Sequence, residues 1–492
     1  MVLYRDLYFG LSDGRREARQ APEQFVKSFV DRNNAMSLLK SGQKFLLLGP
    51  KGAGKSAFAA YLDKTQDMQT GFVQIRDLST LPFDQMDKVK TGEPGGPGRV
   101  ITVWKLLLYT GLLEIIMKDQ SHPFQWDPQV LQLVDELRRL GFMSASPKAA
   151  VLGATKTTYK LTLPGFGNVY TRERTESFNL YHVVNYLEDR ILSSDSSGHT
   201  YMLILDGLDS IYLTDPNYSS AIASLLQAAY EVYDILGDGG SQARVVLLLR
   251  NDIFTRLQLP DAGKMRQDLS IDLDWRVLSG NPRQASLFDL VNRKASAMLD
   301  GRVLAVVQDF FPKDVQLGDK SPKWRDIYSY LLDLTRHTPR DLLRLLEYIR
   351  EVEGEQKSSN RPGAKLSNEV IREGALRYAS KYFVEAIANE LVGLREEGDL
   401  AARAISTLRH LRKSTFTARQ FSDDFLEGSD GNVAQANEML KWLFFAGAVG
   451  NVVAGSSERY LQFYHRRDNV EIYIKGELIL HNALVYAWNI PR

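Results

Sequence analysis

Apolar positions along this chain switch between a helical period and a strand period, and the switches predict most of its elements. Phe25, Phe29, Leu38 and Leu39 fall at helical spacing and predict a helix within 21–40, which Ser41-Gly42 closes before an apolar strand at 44–48. A glycine-rich turn and a helix over 56–62 follow. A strand at 72–75 and a helix over 103–117 continue the alternation, with a proline- and glycine-rich loop at 90–98 between them. An insertion at about 121–180 interrupts it, holding an amphipathic helix over 130–140 and a hairpin-like alternation at 157–172 around Pro164-Gly165. The pattern then resumes with helix 181–192, strand 201–205, helix 221–235 and strand 245–249. Both strands are apolar throughout, as central strands covered on two faces are. Within 265–275, Leu269, Ile271, Leu273 and Trp275 alternate and read as a further strand. Strands alternating with helices predict an α/β domain on a parallel sheet.

Beyond residue 282 the pattern turns almost wholly helical, over 287–298, 302–310, 324–334 and 340–352, which predicts an all-α subdomain. A polar loop at 353–363 and a helix around 368–391 follow. Helix 401–411, strand 415–417, helices 418–425 and 433–446, and strands 449–453 and 460–464 joined by a glycine–serine turn have the order of a winged helix. The expected domains are 1–281, 282–378 and 379–492.

Composition narrows the classes. At 492 residues the chain has room for roughly three domains, and 44% hydrophobic with 25% charged residues excludes collagenous and largely disordered proteins. The net charge of +1 gives no global field for nucleic acid or membrane, so any such binding needs a local patch. The absence of cysteine excludes disulfides, iron–sulfur clusters, thiolate zinc sites and cysteine nucleophiles, and points to a cytoplasmic protein. The longest apolar runs, such as 45–48 and 245–249, are too short for a membrane helix, and no leader pattern opens the chain.

The strongest chemical signal is Gly49-Pro50-Lys51-Gly52-Ala53-Gly54-Lys55-Ser56, a complete G-x-x-x-x-G-K-[ST] loop placed between a buried strand and a helix. Its backbone N–H groups, continued by Ala57, would cradle phosphates at the helix N-terminus. Lys55 would reach the β- and γ-phosphates, and Ser56 would ligate Mg²⁺. Asp206 ends an apolar strand where a magnesium contact is required. Asp209, three residues on, is placed to act as general base on water, or else to cap a turn. Arg250 ends the next strand and would either sense the γ-phosphate or pair with Asp206 or Asp252. The seven histidines are scattered and read as structural, and no second active site is evident.

The phosphate loop, the Asp206-Gly207-Leu208-Asp209 segment, Arg250 and Thr338-Pro339-Arg340-Asp341 at a helix start together resemble the AAA+/STAND class of P-loop ATPases. The order of core, helical lid and winged helix is similar to origin-recognition-type initiators and to bacterial P-loop ATPases associated with phage defence. The resemblance implies ATP and Mg²⁺ as cofactors and a homo-oligomer. It also implies that Arg340 contacts the γ-phosphate from the lid, although proline and arginine also make an ordinary first turn. An arginine finger would come from a neighbouring subunit, with Arg266, Arg276, Arg283 and Arg293 as unranked candidates. Two departures from the class, Asp209-Ser210 in place of Asp-Glu and Gly207 in place of a glutamate, imply slow, switch-like hydrolysis.

Residues 376–492 hold fourteen basic and fourteen acidic side chains, and the third helix of the winged helix has no arginine to read guanine edges, which weighs against DNA contact. In its favour, 403–419 holds Arg403, Arg409, Arg412, Lys413 and Arg419 without an acid, and Arg466 and Arg467 follow the wing. The expected function is an ATP-binding, slowly hydrolysing switch in which ATP draws lid and core together through Lys55, Arg250 and Arg340, coupling nucleotide state to DNA in phage defence or genome maintenance. The alternative is a nucleotide-gated scaffold that oligomerises and recruits a protein effector without DNA. Its recognition surface would be the insertion or the winged helix.

Overall fold

The structure, a computed structural model, describes the chain except residues 1, 68, 80, 82–96, 140, 144–179, 195–197, 209–215, 278–279, 300–302, 319–322, 358–362, 392–397, 429, 455–458, 468–469 and 492. The hairpin-like pattern at 157–172, most of the loop at 90–98 and Asp209 therefore lie outside the described residues. Contacts divide the chain into two compact units. One joins Asp31–Pro50 to Lys55–Leu273, and the other joins Met1–Val30, Lys51–Gly54 and Asp274–Arg492.

The first unit is built on a parallel five-stranded sheet. Its strands are β1 Leu46–Gly49, β2 Gly71–Asp77, β3 Thr200–Asp206, β4 Ala243–Arg250 and β5 Ser270–Asp272, in the order β2-β3-β4-β1-β5. This is the α/β, P-loop-type parallel core expected from the alternation. β3 and β4 are central, and their leucines, isoleucine and valines are buried because helices cover both faces. Helix Pro97–Ile116 packs with helices Leu180–Leu192 and Pro216–Asp238, and its Trp104 Nε1 donates to Ala221 O at 2.9 Å. The register sets Gly49 beside Arg250 and Asp77 beside Asp206, which brings the carboxyl ends of four strands to one edge.

Two expectations change here. The helix predicted within 21–40 is two helices, Pro22–Lys27 and Ala35–Lys40, because Asn33 and Asn34 both adopt left-handed backbone, which asparagine tolerates and a helix does not. The strand predicted at 265–275 begins only after helix Ala262–Asp268; the alternation is real from Leu269 onward, and β5 pairs with β1.

In the second unit, helices Ser286–Ser296, Val306–Phe310, Ile327–Asp333, Pro339–Gln356 and Asn368–Tyr378 form the predicted helical region. It is not all-α, however. β6 Asp314–Gln316 and β7 Trp324–Asp326 form an antiparallel pair where helix was expected from 324. The helix starts late because the Asp326 carboxylate caps it, accepting from Ser329 N at 3.2 Å.

A π-turn at Ala379–Phe383 joins Asn368–Tyr378 to helix Val384–Leu391. Helices Gly398–His410, Ala418–Leu426 and Val433–Phe445 and strands β8 Thr415–Thr417, β9 Val449–Ala454 and β10 Arg459–Gln462 follow in winged-helix order. Reciprocal capping boxes, Thr417 with Gln420 and Asn432 with Gln435, set the starts of the second and third helices. A strand not foreseen, β11 Glu477–Leu480, inserts between β9 and β8 to give the order β10-β9-β11-β8. Among the described residues no helix is long and apolar enough to cross a membrane.

The N-terminal segment is fastened into the second unit. Tyr4 Oη donates to Leu346 O at 3.0 Å, and the Glu17 carboxylate, 2% exposed, binds Lys294 Nζ at 2.5 Å and Tyr8 Oη at 2.8 Å. Breaking a buried pair strands the remaining charge, whereas removing both partners does not. Glu17→Ala is therefore expected to destabilise the protein by about 3 kcal/mol, and Glu17→Gln combined with Lys294→Met by clearly less, as read from denaturant unfolding midpoints.

Candidate nucleotide site

The loop after β1 turns tightly through Gly52 (φ +83°) and Gly54 (φ +102°), left-handed conformations that point backbone N–H groups toward its concave side. Lys55 opens helix Lys55–Lys64 and is 4% exposed; its Nζ donates to Gly49 O at 3.0 Å and Pro50 O at 3.3 Å, so the ammonium is held at the mouth of the loop by the loop's own carbonyls. Ser56, its neighbour, stands in the first turn of the same helix.

Strand order supplies the polar groups opposite. β4 lies between β1 and β3, so Arg250 stands beside Gly49 on one side, and β3, which ends in Asp206, runs along the other. Asp206 is 2% exposed, and its Oδ1 accepts from Gly207 N at 2.8 Å. Arg250 takes the pairing alternative with Asp252, a bidentate bond of 2.9 Å from Nε and 2.7 Å from its terminal nitrogen. Burial alone would raise the Asp252 carboxyl. The charge and hydrogen bonds of Arg250 override it, helped by Arg256 and Lys55, and hold the carboxyl down at about 2. Arg250, whose backbone stands beside Gly49, is thus oriented by Asp252.

Gly207 explains the missing glutamate. Its φ is +88°, and a Cβ there would run into Asp77 Oδ1 and come within 2.9 Å of Ser79 N. The carboxylate Asp77, set beside Asp206 by the β2–β3 register, takes the space that a side chain after Asp206 would need.

The tip of the loop, Lys51–Gly54, packs within the second unit. Trp275 Nε1 donates to Ala53 O at 2.9 Å, and Arg340 N donates to Gly52 O at 3.4 Å. Side-chain atoms of Thr338 and Arg340 lie 3.3 and 3.1 Å from where a Gly52 Cβ would stand, so an alanine there would need the start of helix Pro339–Gln356 to give by a few tenths of an ångström. Arg340 Nε donates to Ser12 O at 3.1 Å. The Lys51 side chain leaves the phosphate side of the loop and reaches Asn389 O at 3.4 Å and Glu390 Oε1 at 3.8 Å, leaving its backbone N–H to the cradle. The structure thus brings Lys55, Asp206 and Arg250 to one end of the sheet, and Arg340 to the loop tip. Contacts of Trp275, Ser12, Thr338 and Glu390 around the loop were not anticipated; Trp275 was visible only as the last member of an alternation and Thr338 only as part of the Thr338–Asp341 helix start, and the other two carried no signal.

On the winged helix, Arg409, Arg412, Lys413, Arg419 and Arg467 are exposed, while Arg403 bonds to Glu427 O and lies over Phe425. Arg466 is a correction to the expected DNA-facing set. Its guanidinium stacks over Phe463, 5.0 Å from the ring centroid, and pairs with Asp333 at 3.5 Å, so it is engaged inside the protein.

Three of the histidines that are scattered in sequence meet in the structure. His337, His465 and His481 form a chain of ring contacts at 5.8 and 5.4 Å, with Phe383 stacked on His481 at 4.5 Å. His481 Nδ1 accepts from Ala483 N and its Nε2 faces Thr335 O at 3.3 Å, which fixes a neutral tautomer. Among the described residues, neither ring nitrogen of His465 has a hydrogen-bond partner. Burial and then the Arg466 charge push His337 down to about 3, against the pull of Asp274 and Asp341 and with a smaller push from Arg276. His465 and His481 are likewise held well below 6.5, burial again first, then His481 and Arg466 for the one and Arg466 for the other, with Arg336 adding to both.

No protein-family model matches this chain, and no similar sequence is found among curated proteins. Solved structures with a related arrangement include the Aeropyrum pernix Orc1 protein in complex with DNA, at 11% identity and TM-score 0.35, covering 94% of this chain and 94% of that one. Cdc6p from Pyrobaculum aerophilum covers 96% of this chain and 94% of its own, at 11% identity and TM-score 0.31. These likenesses are loose, and the functional reading below rests on the site's own residues.

Two outcomes are expected. Gly207→Glu, which would place a glutamate directly after Asp206, should lower stability by roughly 1–3 kcal/mol through left-handed strain and collision with Asp77; thermal unfolding checks it. Because burial holds all three histidines below their unfolded value of about 6.5, His337 down to about 3, the unfolded chain binds more protons in the window below about pH 6.5. Stability is therefore full above pH 6.5 and falls as pH drops through that window, and His465→Phe should flatten the fall in a pH series of denaturant midpoints.

Proposed function

We propose that this chain is an ATP-binding, slowly hydrolysing P-loop switch that couples nucleotide state to duplex DNA through its winged helix. One observation carries the reading: the complete loop from Gly49 to Ser56 follows a strand whose neighbour β4 ends in Arg250, and β3, next beyond β4, ends in Asp206 at the same sheet edge. In this reading the loop N–H groups and Lys55 hold the phosphates, and the lysine exchanges the carbonyls of Gly49 and Pro50 for phosphate oxygens. Ser56 and Asp206 are hard oxygen donors that suit Mg²⁺, which takes few protein ligands and keeps waters. When bound, that ion would neutralise charge on the β- and γ-phosphates. Arg250 and Arg340 are the γ-phosphate contacts, and Asp209 is the general base. With no glutamate after Asp206, hydrolysis is slow, and the nucleotide acts as a state marker. Genome maintenance and phage defence are the settings that suit such a switch.

DNA would meet the exposed Arg409, Arg412, Lys413 and Arg467 through phosphate contacts that carry no sequence code. A second reading, a nucleotide-gated oligomeric scaffold for a protein effector, is favoured by the exposed apolar Val433, Tyr460 and Leu461 on the third helix and wing, at 58%, 48% and 40% exposure. Apolar groups there suit a protein surface better than a DNA backbone.

The test is steady-state ATP turnover with and without duplex DNA. Lys55→Ala is expected to reduce turnover to background. Replacing Arg409, Arg412 and Lys413 by alanine is expected to weaken DNA binding and flatten its salt dependence. Turnover that ignores DNA, with no salt-dependent binding, would favour the scaffold.

A further inference from the structure

We propose that Glu390 is a positioning residue for the nucleotide site, holding the tip of the phosphate loop and the base of the Arg340 helix in register through a single carboxylate. The inference rests on the nucleotide reading above. Glu390 is 8% exposed and lies in the last turn of helix Val384–Leu391. On one side it meets Lys51 Nζ at 3.8 Å, and the same ammonium reaches Asn389 O at 3.4 Å. Lys51 therefore serves as a cationic cap on the negative end of this helix. On the other side Glu390 meets a terminal nitrogen of Arg336 at 3.5 Å.

Arg336 carries the link onward. Its Nε and other terminal nitrogen donate to the two oxygens of Asp341 at 2.9 and 3.0 Å, and Asp341, fully buried, also accepts from Tyr382 Oη at 2.9 Å. Asp341 is the residue after Arg340, and its N–H is capped by Thr338 Oγ1 at 3.3 Å. Thr338 and Arg340 are the residues that close on Gly52. A closed circuit results, running from Lys51 through Glu390, Arg336, Asp341 and Arg340 back to Gly52. It crosses the π-turn at Ala379–Phe383, whose extra residue aims Tyr382 at Asp341 and lays Phe383 under Arg336, 5.4 Å from guanidinium to ring centroid.

The circuit divides the chemistry. Lys55 and the amides of Ser56 and Ala57 bind the ground-state phosphates from helix Lys55–Lys64, which is not part of the circuit. The placement of Arg340 against the loop does depend on it, and this is where charge changes during hydrolysis. Loss of Glu390 therefore lowers kcat more than it raises KM. Because helix Val384–Leu391 leads toward the winged helix, Glu390 also gives events on that domain a route to turnover.

The test is a double-mutant cycle of Glu390→Gln and Lys51→Ala in the full-length chain, measuring kcat and KM for MgATP, ATP affinity and unfolding midpoints. Each single variant is expected to lose about tenfold in kcat with KM and ATP affinity within about threefold, and the double variant to be no slower than the slower single. Additive losses, a loss seen only in KM, or rates equal to the wild type would overturn the assignment. If Glu390→Gln does not fold, Lys51→Ala decides alone, since its side chain is 30% exposed and its kcat loss at unchanged KM is the same prediction. A wild type that binds no ATP would overturn the functional reading with it; a wild type that turns over ATP beside indifferent variants would overturn this inference only.

Discussion

The ion pair between Arg336 and Asp341 sets the start of helix Pro339–Gln356, against which the tip of the glycine-rich loop packs. Asp341 has no exposure and receives three donors from Arg336, its backbone N–H included, and a fourth from Tyr382. Burial would raise this carboxyl, but Arg336 holds it below its usual range, while Asp341 and Glu390 hold the Arg336 guanidinium charged against its own burial. A hydrophobic pair of similar size would be about as stable. What the charges add is direction, because bidentate geometry admits one orientation of the helix start. That orientation places Thr338 and Arg340 against Gly52. Glycine is favoured there by its left-handed backbone angle, and a Cβ would also crowd Thr338 and Arg340.

Much of this could be read from the residues, and the division has a physical basis. The phosphate loop, the central strands and the helices on them follow from local spacing and from burial on two faces, which leave long apolar signatures in sequence. Elements of three or four residues do not. β6, β7 and β11 are held by pairing with partners distant in sequence, and β7 reads as the first turn of a helix until the Asp326 cap is seen. The break at Asn33-Asn34 is carried by backbone conformation, and polarity gives no sign of it. The strand tips were legible one at a time, but the neighbour relation that puts Arg250 between Gly49 and Asp206 is a matter of strand order, which no local pattern encodes.

The side chains whose surroundings could not be read from sequence share one feature, that those surroundings come from far along the chain. Arg466 beside Arg467 reads as a basic patch, yet it lies over Phe463 and pairs with Asp333. His337, His465 and His481 are separated by more than a hundred residues at one step, and still meet. They meet because the last segment of the chain returns. β11 pairs inside the winged-helix sheet, and helix Asn482–Ala487 packs on the π-turn and on helix Asn368–Tyr378. His481, at the cap between that strand and that helix, is carried to Thr335 by this return.

The consequence is an asymmetry in how the second unit holds charge. Its surface cations, such as Arg409 and Lys413, stand in water on a domain with no net charge of its own, so any attraction they exert is local and screened within about 8 Å at physiological salt. Its interior cations Arg336 and Arg466 face a low dielectric, where each charge is felt over a longer range; both depress the histidines, and Arg336 is fixed by Asp341 and Glu390. Electrostatic information therefore passes more strongly between the start of the Arg340 helix and the end of the wing than from the protein surface inward. A ligand that shifts helix Val384–Leu391 or the wing by a fraction of an ångström acts on buried pairs directly, whereas one that only neutralises surface arginines does not. The same dielectric argument that makes the buried pair costly to break makes it a sensitive element to move.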